Sequence, residues 1–262
     1  MINRIKITAS KFLPKIYQRL RTIKRAQSIK KFQKEFPQTQ LFYPVDKEKR
    51  KFYSQDNQDF IVYENFFKNK KDGFFCDIGG NHPQKLNNTL YFEEQGWSGI
   101  AFEPLQHMNI LWKEHRKAKL FSVALSNSND KAIFTIVKDT TGWEDMLSFV
   151  KETRDVDYGY ETQEIEVQTK RLQDIVEQEN IKVIDYLSLD VEGHELNVLQ
   201  GIDFDKVRIN VLTIENNPPS HILYGDTNIR DLMIKNDYVL WGRIIGLDDI
   251  YVHKDFLAKE VE

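Results

Sequence analysis

The sequence predicts an α/β fold, a mostly parallel sheet with helices on both faces, and three observations carry that expectation. Short apolar strands alternate with helical stretches through most of the chain, the order that builds parallel sheets by crossover. Four strands end in an acid, Asp77, Glu103, Asp190 and Glu215, and open parallel sheets bind ligands outside the carboxyl ends of their strands. The first of these strands lies in Gly73 to Asn81, GFFCDIGGN, whose two glycines let the backbone turn sharply and come close to a ligand.

The 262 residues suit one α/β domain with an extension. A single cysteine excludes an internal disulfide. No apolar run reaches the ~18 residues of a membrane span, and no signal-peptide pattern opens the chain, so a soluble, cytoplasmic protein is expected. Residues 1–34 hold 11 Lys and Arg and no acid; the other 228 residues hold 26 bases against 40 acids, a charge of −14. The acidic body argues against nucleic acid as a partner, whose affinity rests on neutralised phosphates.

Taken in order, residues 1–35 form a basic arm in which Ile2, Ile5, Phe12, Leu13, Ile16, Leu20 and Ile23 recur at helical spacing. Peripheral contact with an anionic membrane, packing on its own domain or in a homodimer, and a targeting role all stay open for it. Residues 36–53 carry two prolines over Phe36 to Pro44 and read as a linker. A helix follows, with Ser54 or Asp56 as its cap and Phe60, Ile61, Tyr63, Phe66 and Phe67 as its apolar face. Beyond the first strand come a helix over 88–95 closed by Gly96, a strand over 98–103, a helix over 106–115 and a strand over 120–125.

Residues 133–137 and 165–169 alternate in polarity and are expected as half-exposed strands added to the side of the sheet. The long stretch Asp139 to Tyr160 between them has the length of a lid or substrate loop. A helix over 172–178, a strand over 186–190, a helix opening near Glu192 and ending at Gly201, a strand over 210–215 and a helix over 227–236 complete the alternation. The stretches 238–243 and 249–253 form a closing hairpin.

A dinucleotide site would place G-x-G-x-x-G after the first strand. Here Gly79-Gly80-Asn81-His82-Pro83 follows, and the third glycine is missing. A carboxylate, Glu103, stands about 25 residues on, the offset for ribose hydroxyls. A ligand with ribose but no pyrophosphate fits better, and S-adenosylmethionine is the commonest. The segments GFFCDIGGNHP, NNTLYFEEQGWSGIAFEP, VALSN, KRLQDI, IDYLSLDVEGHELNVLQGIDF and VLTIEN resemble, in order and spacing, the FkbM family of S-adenosylmethionine-dependent methyltransferases, over about Ser54 to His253. The resemblance implies a class I methyltransferase, Rossmann-like fold over 54–262, with a seven-stranded sheet and an antiparallel C-terminal hairpin. It also implies O-methylation of a sugar, glycan or secondary metabolite.

Carried onto matching positions, the resemblance gives Asp77, Gly79 and Asn81 the methionine end of the cofactor and Glu103, with Pro104 beside it, the ribose. Ala124, Leu125 and Ser126 would border adenine, and Asp190 would lie near the amino group. Asn217-Pro218-Pro219 lacks the aromatic fourth residue of amino-directed methyltransferases and reads as a loop. Asp190, Glu192 and Glu215 are candidate ligands for a divalent cation, since hard oxygens suit Mg²⁺. His194, in the turn Asp190-Val-Glu-Gly-His-Glu195, is the candidate base, with Glu192 or Glu195 expected to orient it and raise its pKa; Glu192 is the alternative base, and His82 and His221 also follow strand ends. Two other readings compete: a Rossmann-type oxidoreductase, which the missing glycine disfavours, and a non-catalytic membrane-associated adaptor, which the four strand-end acids disfavour.

Overall fold

The computed structural model describes residues 14–43, 52–138, 145–152, 159–217 and 225–259. Helix α1 (Pro14–Glu35) leads to β1 (Gln40–Phe42), and α2 (Gln58–Val62) continues into a π-helical turn, Tyr63–Phe67. There follow β2 (Phe74–Ile78), α3 (Leu90–Glu94), β3 (Ser98–Phe102), α4 (Gln106–His115), β4 (Lys119–Phe121), β5 (Ala124–Leu125), β6 (Lys131–Lys138), β7 (Phe149–Val150) and β8 (Glu161–Lys170). The rest comprises α5 (Leu172–Gln178), β9 (Val183–Leu189), α6 (Glu195–Gln200), β10 (Arg208–Glu215), α7 (Thr227–Lys235), β11 (Tyr238–Ile244), β12 (Asp248–His253) and α8 (Lys254–Lys259).

The main sheet runs β1-β11-β12-β10-β9-β2-β3-β4. It is mixed and has eight strands where seven were expected. The central strands β2, β9 and β10 are mutually parallel and buried along nearly their whole length, which is why they read as continuous apolar runs. Strand β12 is antiparallel to both β10 and β11, the expected closing hairpin. One apolar cluster, including Leu187, Leu189 and Leu212, and a second, including Phe92, Trp97 and Tyr186, form the core.

The eighth strand is β1, inside the stretch read as a linker. It pairs parallel with β11, Gln40 opposite Gly242 and Phe42 opposite Ile244. Three residues between prolines are too few to show a period of two, and tertiary contacts hold them: the Thr39 hydroxyl donates to the Leu240 carbonyl at 2.8 Å, and Phe42 stacks on Trp241 at 5.7 Å. The last turn of α1 also belongs to the body. Phe32 is 2% exposed, with the Arg230 and Arg243 guanidiniums 5.0 and 5.9 Å from its ring centre.

The stretch 120–125 divides between β4, in the main sheet, and β5. Strands β6 and β8, expected at the side of the main sheet, instead pair over Lys131–Lys138 in a separate sheet, β5-β8-β6-β7. Its inner residues Phe134, Val150 and Val167 pack against Leu105 and Met108 at α4. At α2 the N-cap is Asn57, with φ +67° and no side-chain cap bond. Neither Ser54 nor Asp56 holds the N-cap position, but the Ser54 hydroxyl bonds the Asp59 carboxylate and accepts the Asp59 N–H of the first turn at 3.4 Å. No helix among the described residues is long and apolar enough to cross a membrane.

Candidate active site

Parallel alignment brings the carboxyl ends of β2, β3 and β9 to one rim, where a cleft opens. Gly79 and Asn81 enter it from the turn after β2, Glu103 and Pro104 from the end of β3, and Ala124 and Leu125 from β5. Asp190, Glu192 and His194 enter from the turn after β9, while Phe134, Asp145, Met146, Ser148 and Val150 close the side opposite.

Gly79 sits where segments cross. Its N–H donates to the Phe102 carbonyl, the Asp190 N–H donates to the Ile78 carbonyl, and a Cβ on Gly79 would lie 1.8 Å from the Asp190 carbonyl oxygen. With φ at +80°, glycine is required there on both grounds. Asn81 follows with φ +35°; its carbonyl accepts from Trp112 Nε1 at 2.7 Å, and its buried Oδ1 has no hydrogen-bond partner among the described residues.

Glu103 is 3% exposed. Its Oε1 accepts the Leu105 N–H at 2.8 Å. Burial pushes its carboxyl up to about 7, with the Leu105 and Asn81 N–H groups pulling the other way. Asp77 and Ser126 do not line the cleft. The Asp77 Oδ2 accepts from Thr89 Oγ1 at 2.6 Å and Asn87 Nδ2 at 3.1 Å, and Arg116 donates to Asn87 Oδ1 and to Thr89 Oγ1 at 2.9 Å each. The Oδ2 of this carboxylate thus fastens the loop below Gly79.

His194 differs most from expectation. It is 4% exposed, its Nε2 contacts Ser126 Oγ at 2.9 Å, and its Nδ1 has no partner among the described residues. Burial lowers its pKa to about 4, so the imidazole is neutral at pH 7. The expected upward shift is absent because Glu195 turns away, accepting the Val191 and Gly193 N–H groups at 3.1 and 3.0 Å. Glu192 is half-buried on the cleft wall, with its backbone in the left-handed region at φ +55°.

Of the candidate cation ligands, Asp190 and Glu215 come together, but Glu195 takes the place expected of Glu192; oxygens of Asp190, Glu195 and Glu215 lie within 4.8 Å of one another, a set that would suit a hard cation. Burial, then the charges of Glu192, Asp248 and Glu195, push the Asp190 carboxyl up. Asp190 is nevertheless open to solvent in the cleft, which moderates the first cause. Burial and the Asp190 charge push Glu215 up as well, and burial raises Asp248 to about 6 even though Gln58 Nε2 donates to it at 2.7 Å.

Sequence reasoning missed Asp248 and the wall from Asp145 to Val150. The length of 139–160 pointed toward that wall without naming a side chain, and His107 of α4 holds it through Asp145. His82 is a turn residue, its Nδ1 accepting the Gln84 and Lys85 N–H groups. His221, Pro218 and Pro219 lie outside the described residues.

Four acids line the cleft, Glu103, Asp145, Asp190 and Glu192, and no Lys or Arg does so among the described residues. A family model described as Methyltransferase FkbM domain matches residues 77–240, a span that contains the whole cleft lining. None of the curated proteins compared with the chain matches it.

Proposed function

This chain belongs to the FkbM methyltransferase family, and from that premise we propose that it binds S-adenosylmethionine in the cleft and methylates a hydroxyl of a sugar, glycan or secondary metabolite. One observation carries the reading: the cleft offers four carboxylates and no Lys or Arg among the described residues. S-adenosylmethionine brings a sulfonium and an ammonium, so its charge suits that lining. A dinucleotide would set its pyrophosphate against the same acids, which disfavours the oxidoreductase reading.

The residues fit the cofactor in kind. Glu103 would accept ribose hydroxyls, and Asp190 would take the ammonium. The unpartnered Asn81 Oδ1 would accept an N–H from the same group, and Gly79 would let the cofactor come close. Pro104, Ala124 and Leu125 would give adenine an apolar border, and His194, held by the Ser126 hydroxyl, lines the cleft beside them. The cofactor, when bound, supplies an electrophilic methyl group. Glu192 takes the proton that the acceptor hydroxyl loses as its oxygen gains the methyl, a role that neutral, buried His194 does not fill.

Calorimetric titration with S-adenosylmethionine, its demethylated product and NAD tests the reading. Saturable binding of the first two and none of NAD is expected. NAD binding without S-adenosylmethionine binding would overturn it.

A further inference from the structure

We propose that α1 is a docking element for an anionic lipid bilayer. The helix Pro14–Glu35 carries eight Lys and Arg against one acid, its final residue Glu35, while the body beyond residue 34 has a charge of −14. The basic character is therefore particular to this segment.

Two apolar sets recur along the helix in the sequence. Ile29, Phe32 and Phe36 follow one another at intervals of three and four, and Phe32 and Phe36 pack on the body, at its core and on the Arg230 guanidinium. Ile16, Leu20 and Ile23 form the second set in the sequence. Ile23 stands nine residues before Phe32, about two and a half turns at 3.6 residues per turn, so it lies on the far side of the helix. It is 45% exposed. The body thus anchors α1 by its last turn and leaves Ile23 outward.

A bilayer would use both the apolar and the basic residues of this segment. Apolar side chains enter the headgroup boundary while Lys and Arg meet anionic headgroups. A nucleic acid would engage the bases and leave the isoleucines without a role, and its phosphates would meet an acidic body. A second copy laid along the same face would set bases against bases.

The test is co-sedimentation of the full chain with vesicles. Pelleting is expected with phosphatidylglycerol-containing vesicles, not with phosphatidylcholine vesicles, and it should be lost near 1 M salt, where the screening length falls to about 3 Å. Leu20→Asp with Ile23→Asp, and separately Lys24→Glu with Arg25→Glu, should each lower the bound fraction at least ~tenfold with unchanged melting and methyl transfer. If the first pair disturbs folding, the second decides. Three results would overturn the proposal: no pelleting, binding that survives both pairs, or tighter binding to duplex DNA than to vesicles. A dimer in light scattering that Ile23→Asp splits would also do so, by assigning the face to a second copy.

Discussion

Replacing Glu103 with glutamine removes a buried charge and keeps the shape of the side chain. In the folded protein its carboxyl is pushed from 4.5 up to about 7. Between those values the native state holds a proton that the unfolded chain has released, so this group's contribution to stability falls as pH rises from about 4.5 to 7 and is flat beyond. At about 1.36 kcal/mol per pH unit the full gap is ~3 kcal/mol, and relaxation around the charge reduces it to ~1–3 kcal/mol. The amide still accepts the Leu105 N–H, so Glu103→Gln should match wild type near pH 4 and melt ~2–12 °C higher at pH 8, at ~2–4 °C per kcal/mol. Scanning fluorimetry across pH reads this directly. The same variant should bind S-adenosylmethionine at least ~tenfold more weakly, through loss of charge-assisted bonds of ~1.5–3 kcal/mol each. Identical melting at pH 8 would refute the burial argument, and a stabilised variant with undiminished affinity would remove Glu103 from the cofactor site.

Four further outcomes follow from the geometry. Gly79→Ala meets a backbone oxygen at 1.8 Å and should lose more than ~3 kcal/mol in urea unfolding, beyond the ~1 kcal/mol typical of a point mutant. Glu192→Gln should lower kcat by ~10²–10⁴ while calorimetric cofactor affinity stays within about threefold; equal losses in both would deny it the proton. His194→Asn should leave the acidic limb of the pH–rate profile in place, since burial holds the imidazole near 4; a displaced limb would return the base role to His194. Asp249 accepts from Arg230 and Arg243 at 0% exposure, and these guanidiniums outweigh burial to hold its carboxyl below the ordinary value. Asp249→Asn should cost ~3–5 kcal/mol, and the deficit should shrink in acid as wild type itself loses the ion pair.

The rim of the sheet was legible in the sequence because each central strand is a continuous apolar run ended by an acid, and the cleft gathers Glu103, Asp190, Gly79 and Asn81 from those ends. What the strand ends did not reveal was side-chain direction. Asp77 lies one residue inside its strand end, and Thr89, Asn87 and Arg116, far along the chain, decide where its carboxylate is used. Glu192 and Glu195 are equivalent on paper. Only the left-handed backbone at Glu192 and Gly193 separates them, turning Glu195 toward the N–H groups of its own turn and toward Asp190. The separate small sheet escaped because β6 and β8 pair over eight residues with exposed Lys–Glu partners such as Lys131 and Glu166, a pattern equally proper to a strand at a sheet's edge.

The pairing of β1 with β11 sets a timetable for the newborn chain. Gln40 meets Gly242 across about 200 residues, so at ~5–20 residues per second the first strand waits ~10–40 s on the ribosome before its partner has been made. Phe32 waits as well, because Arg230 and Arg243 arrive in the same late stretch. Until then the N-terminal segment carries an open strand edge and two unhoused aromatic rings, Phe32 and Phe42. Release of the C-terminal hairpin is the event that draws β1 onto β11.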